Sequence, residues 1–168
     1  AVLPSLPGIP GVVPPESVQF LRDHFPVADH PARRLFLGRD GARHRCLVEE
    51  EKIFDILKGR GFEKLACEKM SVREQAEMFR SADMVVGAHG AALTNLVFCR
   101  PGTRVVELFS PRYVNPCYRD LCVAAGLRHS AVIGNGQAWG LTTRHDEPSV
   151  AITAGHELVE KVLAQLAP

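Results

Sequence analysis

The stretch that decides the fold is Asp83-Met84-Val85-Val86-Gly87-Ala88-His89-Gly90-Ala91-Ala92-Leu93-Thr94-Asn95. A short apolar run, Met84-Val85-Val86, ends at Gly87, then come His89-Gly90 and small residues able to open a helix. A parallel α/β sheet presents a strand's carboxyl end and the next helix's amino end to a ligand in this way. Exposed N–H groups and the helix dipole at such a turn attract phosphate. The spacing is neither G-x-G-x-x-G nor the Walker pattern, so neither of those motifs is invoked.

On either side of this stretch the pattern alternates. Arg34 to Leu37 reads as a strand ending at Gly38, followed by a polar loop over 38–46 and a helix over 48–59 with Ile53, Phe54 and Leu57 on one face. Phe62 to Cys67 is the second strand, and Ser71-Val72-Arg73-Glu74 fits a capping box opening the next helix. Beyond the central turn, a helix is expected at 91–97, a β-branched strand from Thr103 to Phe109, and a helix over 115–125 stopped by Gly126. Arg128 to Ile133 gives a fifth strand, 134–148 a loop, and Ser149 to Leu166 a closing helix. Apolar strands alternating with helices imply a three-layer α/β/α fold around a doubly wound parallel sheet.

Residues 1–15 carry Pro4, Pro7, Gly8, Pro10, Gly11, Pro14 and Pro15 and are expected to form a linker or arm. A short amphipathic helix follows over 16–25, so residues 16–168 are taken as one domain.

With 46% apolar and 23% charged residues the composition is that of a globular domain, and a net charge of +1 argues against broad electrostatic binding of nucleic acid. The five cysteines have no C-x-x-C spacing and are read as reduced thiols. No run reaches the roughly 18 apolar residues of a membrane span, and no signal peptide is evident. The expected location is cytoplasmic, with a peripheral inner-membrane placement as the alternative.

Taken in order, these pieces resemble glycosyltransferase family 61, the capsular-polysaccharide and O-linked N-acetylglucosaminyl/xylosyl transferase group. The matching residues are Leu37-Gly38-Arg39, Arg45, Glu49-Glu50-Glu51, Gly61-Phe62, Met70 to Ala76, Phe79, Val85 to Asn95, Pro101-Gly102 and Val105 to Leu108. Gly38 stands where the family tends to have serine, and Val48 where it often has asparagine. The resemblance implies the C-terminal lobe of a GT-B enzyme, with two Rossmann-like lobes and the nucleotide-sugar held mainly by this one. It implies a nucleotide-sugar donor, expected to be a UDP-sugar, a saccharide or glycoprotein acceptor, and an N-terminal lobe of the same native protein as partner.

A leaving nucleoside diphosphate gains negative charge, and fixed positive groups must meet it if no metal does. The sequence has no Asp-x-Asp and no convincing His/carboxylate metal cluster, so no metal or cofactor is expected. Arg39 and His89 are the candidate catalytic residues. Arg39 is read as a bidentate phosphate partner, Arg43 as a second cation, and Gly90, Ala91 and Ala92 as N–H donors. His89 is either a hydrogen-bond donor to phosphate or sugar or a structural residue fixing the turn. Thr94 and Asn95 are read as partners of phosphate or ribose hydroxyls, with back-bonding as the alternative for Thr94.

Glu107, in an otherwise apolar strand, needs partners. Ribose hydroxyls are expected to supply them, or else an arginine or a backbone N–H. Ser110, Tyr113 and Tyr118 are weaker candidates for ligand contact, and Trp139 reads as a loop anchor. Glu49, Glu50 and Glu51 are expected to act on the helix dipole. The competing readings are a non-catalytic nucleotide- or phosphate-binding module and a hydrolase or epimerase on the same scaffold.

Overall fold

The computed structural model describes residues 13–25, 31–39, 47–48, 50–134, 152–153 and 156–166. Five strands, β1 (Arg33–Leu37), β3 (Phe62–Leu65), β4 (Ala82–Ala88), β5 (Arg104–Phe109) and β6 (Arg128–Ile133), form one sheet in the order β3-β1-β4-β5-β6. Every pairing in it is parallel. A separate parallel pair joins β2 (Leu47–Val48) to β7 (Ile152–Thr153).

Alternation along the strands sends side chains to two cores. Leu35, Leu37, Val85 and Val105 face one side, where they meet α1 (Pro15–His24), α3 (Val72–Ser81), the 3-10 helix Ala91–Phe98 and α4 (Cys117–Ala125). Phe36, Met84, Val86, Val106 and Leu108 face the other, under α2 (Glu50–Lys58) and α5 (His156–Leu166). With both faces covered, β4 and β5 are buried at nearly every position, which is why they read as continuous apolar runs. The three-layer, doubly wound expectation is met.

Local chemistry sets the element ends. Ser71 Oγ accepts the Glu74 N–H at 3.3 Å while Glu74 Oε2 accepts the Ser71 N–H at 2.7 Å, so the expected capping box opens α3. Gly126, at φ 72°, closes α4 in the left-handed conformation that glycine adopts without penalty. Arg22 ties α1 down by donating to the carbonyls of Val97, Cys99 and Ala125.

Four segments differ from expectation. Val48, expected to open the helix over 48–59, lies in β2, and that helix begins at Glu50. The second strand stops at Leu65, and Cys67–Lys69 form a 3-10 turn. The segment after the central turn is 3-10 throughout Ala91–Phe98. The expected helix from Ser149 begins at His156, because the β-branched pair Ile152-Thr153 is drawn into the ladder with Leu47-Val48. Residues 1–12 of the expected arm over 1–15 and most of the loop 134–148, Trp139 included, lie outside the described residues, while Pro15 already opens α1. No helix among the described residues is long and apolar enough to cross a membrane.

Candidate functional site

The chain runs from β1 through α2 to β3 at one edge, then back through α3 to β4 on the other side of β1. This reversal leaves a crevice at the carboxyl ends of β1 and β4, the place where open α/β sheets bind ligands. A cavity of about 510 Å³ opens there, lined by Leu37, Gly38 and Arg39 after β1, Cys67 and Glu68 after β3, Gln75 of α3, and Ala88, Ala91, Ala92 and Asn95 around the central turn. Its volume suits a ligand of nucleotide size.

Arg39 and the Gly90 turn are built together. Arg39 Nη1 donates to the His89 carbonyl at 2.9 Å, and a Cβ on Gly90 would fall 1.7 Å from that nitrogen. The backbone of Gly90 is extended, at φ 170°, so the glycine is needed for the close approach of the guanidinium. The loop carrying Arg39 is fixed from below by Glu50, whose Oε2 accepts the Arg39 backbone N–H at 2.9 Å. The other Glu50 oxygen lies 2.8 Å from Lys64 Nζ. Glu50 was expected to serve the helix dipole. It also holds the loop after β1, a role the sequence did not signal.

His89 lies behind the turn. Its imidazole is 5% exposed, with its ring centroid 5.1–5.3 Å from those of Phe109, Tyr113 and Tyr118, and the residue does not line the cavity. Nδ1 is 2.5 Å from Glu107 Oε1, and the other Glu107 oxygen is 2.7 Å from His129 Nε2. Glu107 is fully buried and both its oxygens are taken up inside the protein. The expected ribose contact therefore gives way to a His89–Glu107–His129 chain.

Register explains this chain. Glu107 sits between Gly87 and Ala131 on the neighbouring strands, and the two histidines lie two residues beyond and two before those partners, on the same face. The buried carboxylate also raises its thiol neighbours. Burial first, then Glu107, pushes Cys122 to about 12, and Cys117 is raised in the same way.

Of the remaining sequence candidates, Ala91, Ala92 and Asn95 line the cavity. Thr94 does not, and its hydroxyl lies 3.5 Å from that of Tyr118. Ser110 and Tyr113 are buried and bridged to each other beside His89. Arg43 lies outside the described residues. Two residues that sequence reasoning left without a site role are Gln75, which lines the cavity, and His129. Cys67, also in the lining, is a neutral thiol at ordinary pH, since burial and then Glu68 push it up to about 11. Among the described residues, no group of three or more His, Cys, Asp or Glu side chains is placed to hold a metal ion.

Residues 4–106 match the model of the family described as Glycosyltransferase 61. The chain belongs to glycosyltransferase family 61. It is 28% identical over 106 residues to a β-1,2-xylosyltransferase of Arabidopsis thaliana, covering 55% of this chain and 20% of that protein. It is 36% identical over 63 residues to the β-1,2-xylosyltransferase RCN11 of Oryza sativa subsp. japonica, covering 38% and 12%. An EGF domain-specific O-linked N-acetylglucosamine transferase of Drosophila melanogaster is 27% identical over 100 residues, covering 58% and 19%. This family 61 chain thus spans about a fifth or less of the length of these curated relatives.

Proposed function

We propose that this chain is the donor-binding lobe of a glycosyltransferase, holding a nucleotide-sugar, a UDP-sugar, for transfer to a saccharide or protein hydroxyl. The observation that carries the reading is the cavity at the β1/β4 switch point, with Arg39 seated on the Gly90 turn in a family 61 chain.

Bond cleavage between sugar and diphosphate leaves negative charge on the departing oxygen. In this reading the charge is met by the Arg39 guanidinium and by N–H groups at the start of the 3-10 helix, with no metal needed. His89 acts through its backbone: its carbonyl orients Arg39, and its ring, bound to Glu107, holds the turn. A base for the acceptor hydroxyl comes from a separate lobe of the whole protein. The relatives' names, which describe xylosyl and N-acetylglucosaminyl transfer, support the reaction class.

Titration calorimetry tests the reading. UDP is expected to bind and Arg39→Ala to weaken it roughly 10- to 100-fold, the range for a charge-assisted hydrogen bond. Binding of NAD or simple phosphate with no UDP binding at millimolar concentration would overturn it. UDP binding by a full-length protein that turns over no UDP-sugar would favour a non-catalytic nucleotide module.

A further inference from the structure

The side-chain amides of Gln75 and Asn95 form a relay whose polarity is forced by backbone carbonyls. Gln75 Nε2 donates to the carbonyls of Cys67 at 3.1 Å and Met70 at 3.0 Å. A carbonyl only accepts, so the atom facing both is the nitrogen and Oε1 must point the other way. Asn95 Nδ2 donates to that Oε1 at 2.6 Å and to the Ala92 carbonyl at 3.2 Å. Both amide hydrogens of Asn95 are thereby used, and rotating either amide would set oxygen against oxygen. What remains of Asn95 is Oδ1, to which no described side chain or backbone group donates, on a residue that lines the cavity.

The cavity therefore has two chemically opposite parts. Arg39 and the first N–H groups of the 3-10 helix are donors suited to a diphosphate. Asn95 Oδ1 is an acceptor, and the exposed Glu68 also contributes to the lining; such groups disfavour phosphate and suit a neutral O–H or N–H. The sequence-based alternative of phosphate for Asn95 does not fit an amide whose donors are both spent.

We infer that Asn95, aligned by Gln75, is a specificity-determining acceptor for a hydrogen-bond donor on the nucleoside half of the ligand, and so sets which way the nucleotide lies. This rests on the donor-site reading above. The donor has two possible sources, a ribose hydroxyl or the imide N–H of the base.

The test is calorimetric titration of the wild-type chain, Asn95→Ala, Gln75→Leu and Arg39→Ala with UDP, 2′-deoxy-UDP, 3′-deoxy-UDP, 3-methyl-UDP and pyrophosphate. Asn95→Ala is expected to weaken UDP about threefold to tenfold, one neutral hydrogen bond, and to leave pyrophosphate affinity unchanged. Gln75→Leu, which frees the asparagine to rotate, is expected to show the same selective loss, and it carries the test if Asn95→Ala does not fold. Arg39→Ala is expected to weaken both ligands. Whichever analogue shows no further loss in Asn95→Ala identifies the source as ribose or base.

Unchanged UDP affinity in both relay variants overturns the inference. So does an equal loss for UDP and pyrophosphate, which would mark a structural role, or additive losses with all three analogues. Failure of the wild-type chain to bind UDP at all would instead remove the donor-site reading itself.

Discussion

A carboxylate in the middle of β5 costs several kcal/mol to desolvate, and Glu107 is tolerated there because two imidazoles occupy its two oxygens. Removing it orphans the buried His89 and the partly buried His129. Glu107→Ala is expected to lower the unfolding free energy by about 3 kcal/mol or more, with Glu107→Gln, which keeps one acceptor, costing less. Urea denaturation of the two variants checks this, and equal small losses would contradict the arrangement. The ribose hydroxyls expected as partners of Glu107 are thereby replaced by two histidines. That the residue was anomalous was legible, since a charge in an apolar strand demands partners. Which partners was not, because His89 and His129 are assigned by strand register, and register is invisible without the neighbours. Gly90→Ala belongs at the same scale. Its methyl group would occupy the place of Arg39 Nη1, so pyrophosphate affinity is expected to fall about as far as in Arg39→Ala, on the order of 10- to 100-fold by calorimetry.

Elements are held by their ends, and α3 shows how much of that is written locally. Ser71-Val72-Arg73-Glu74 announced the capping box because both partners lie within four residues. Ser71→Ala is expected to cost about 1 kcal/mol of stability. The hydrogen bonds from the Ser71 hydroxyl and then its backbone N–H hold the Glu74 carboxyl below its ordinary value. A carboxyl depressed on folding stabilises the protein above its unfolded pKa and loses that effect as pH falls through the folded value. The stability gap between wild type and Ser71→Ala should therefore be full at neutral pH and narrow in acid, as denaturation curves at several pH values would show. A gap that widened on acidification would exclude the capping geometry. The same elements show where local reading fails. Nothing in Ala91–Phe98 separates a 3-10 from an α-helix, since the choice depends on how tightly the segment packs against α3 and α4. The strand at Ile152-Thr153 exists only because Leu47-Val48 lies beside it, a pairing across about a hundred residues that no window of sequence contains.

The whole molecule places the site by topology. Alternation of apolar strands and helices was enough to read a parallel sheet, and hence that ligands belong at its carboxyl edge. Arg39 and Ala88 to Asn95 could be singled out on that ground alone. The order β3-β1-β4-β5-β6 adds that the reversal falls between β1 and β4, which brings Gly38-Arg39 against His89-Gly90 across about fifty residues of chain. The cavity so formed is shared by β1, the 3-10 turn Cys67–Lys69 after β3, β4, α3 and the 3-10 helix Ala91–Phe98, and it disappears when they separate. A ligand bound there must stabilise the folded chain as a whole, by about 2.7 kcal/mol at a hundred times its dissociation constant. For a chain of this size that is a rise in melting temperature of roughly 5–10 °C. Differential scanning calorimetry with increasing UDP should show the midpoint climbing with the logarithm of free nucleotide. In Arg39→Ala the same curve should move to higher concentration by the factor lost in affinity. A midpoint that stayed flat for both proteins up to millimolar UDP would mean that the crevice at the switch point is not where this chain meets a nucleotide.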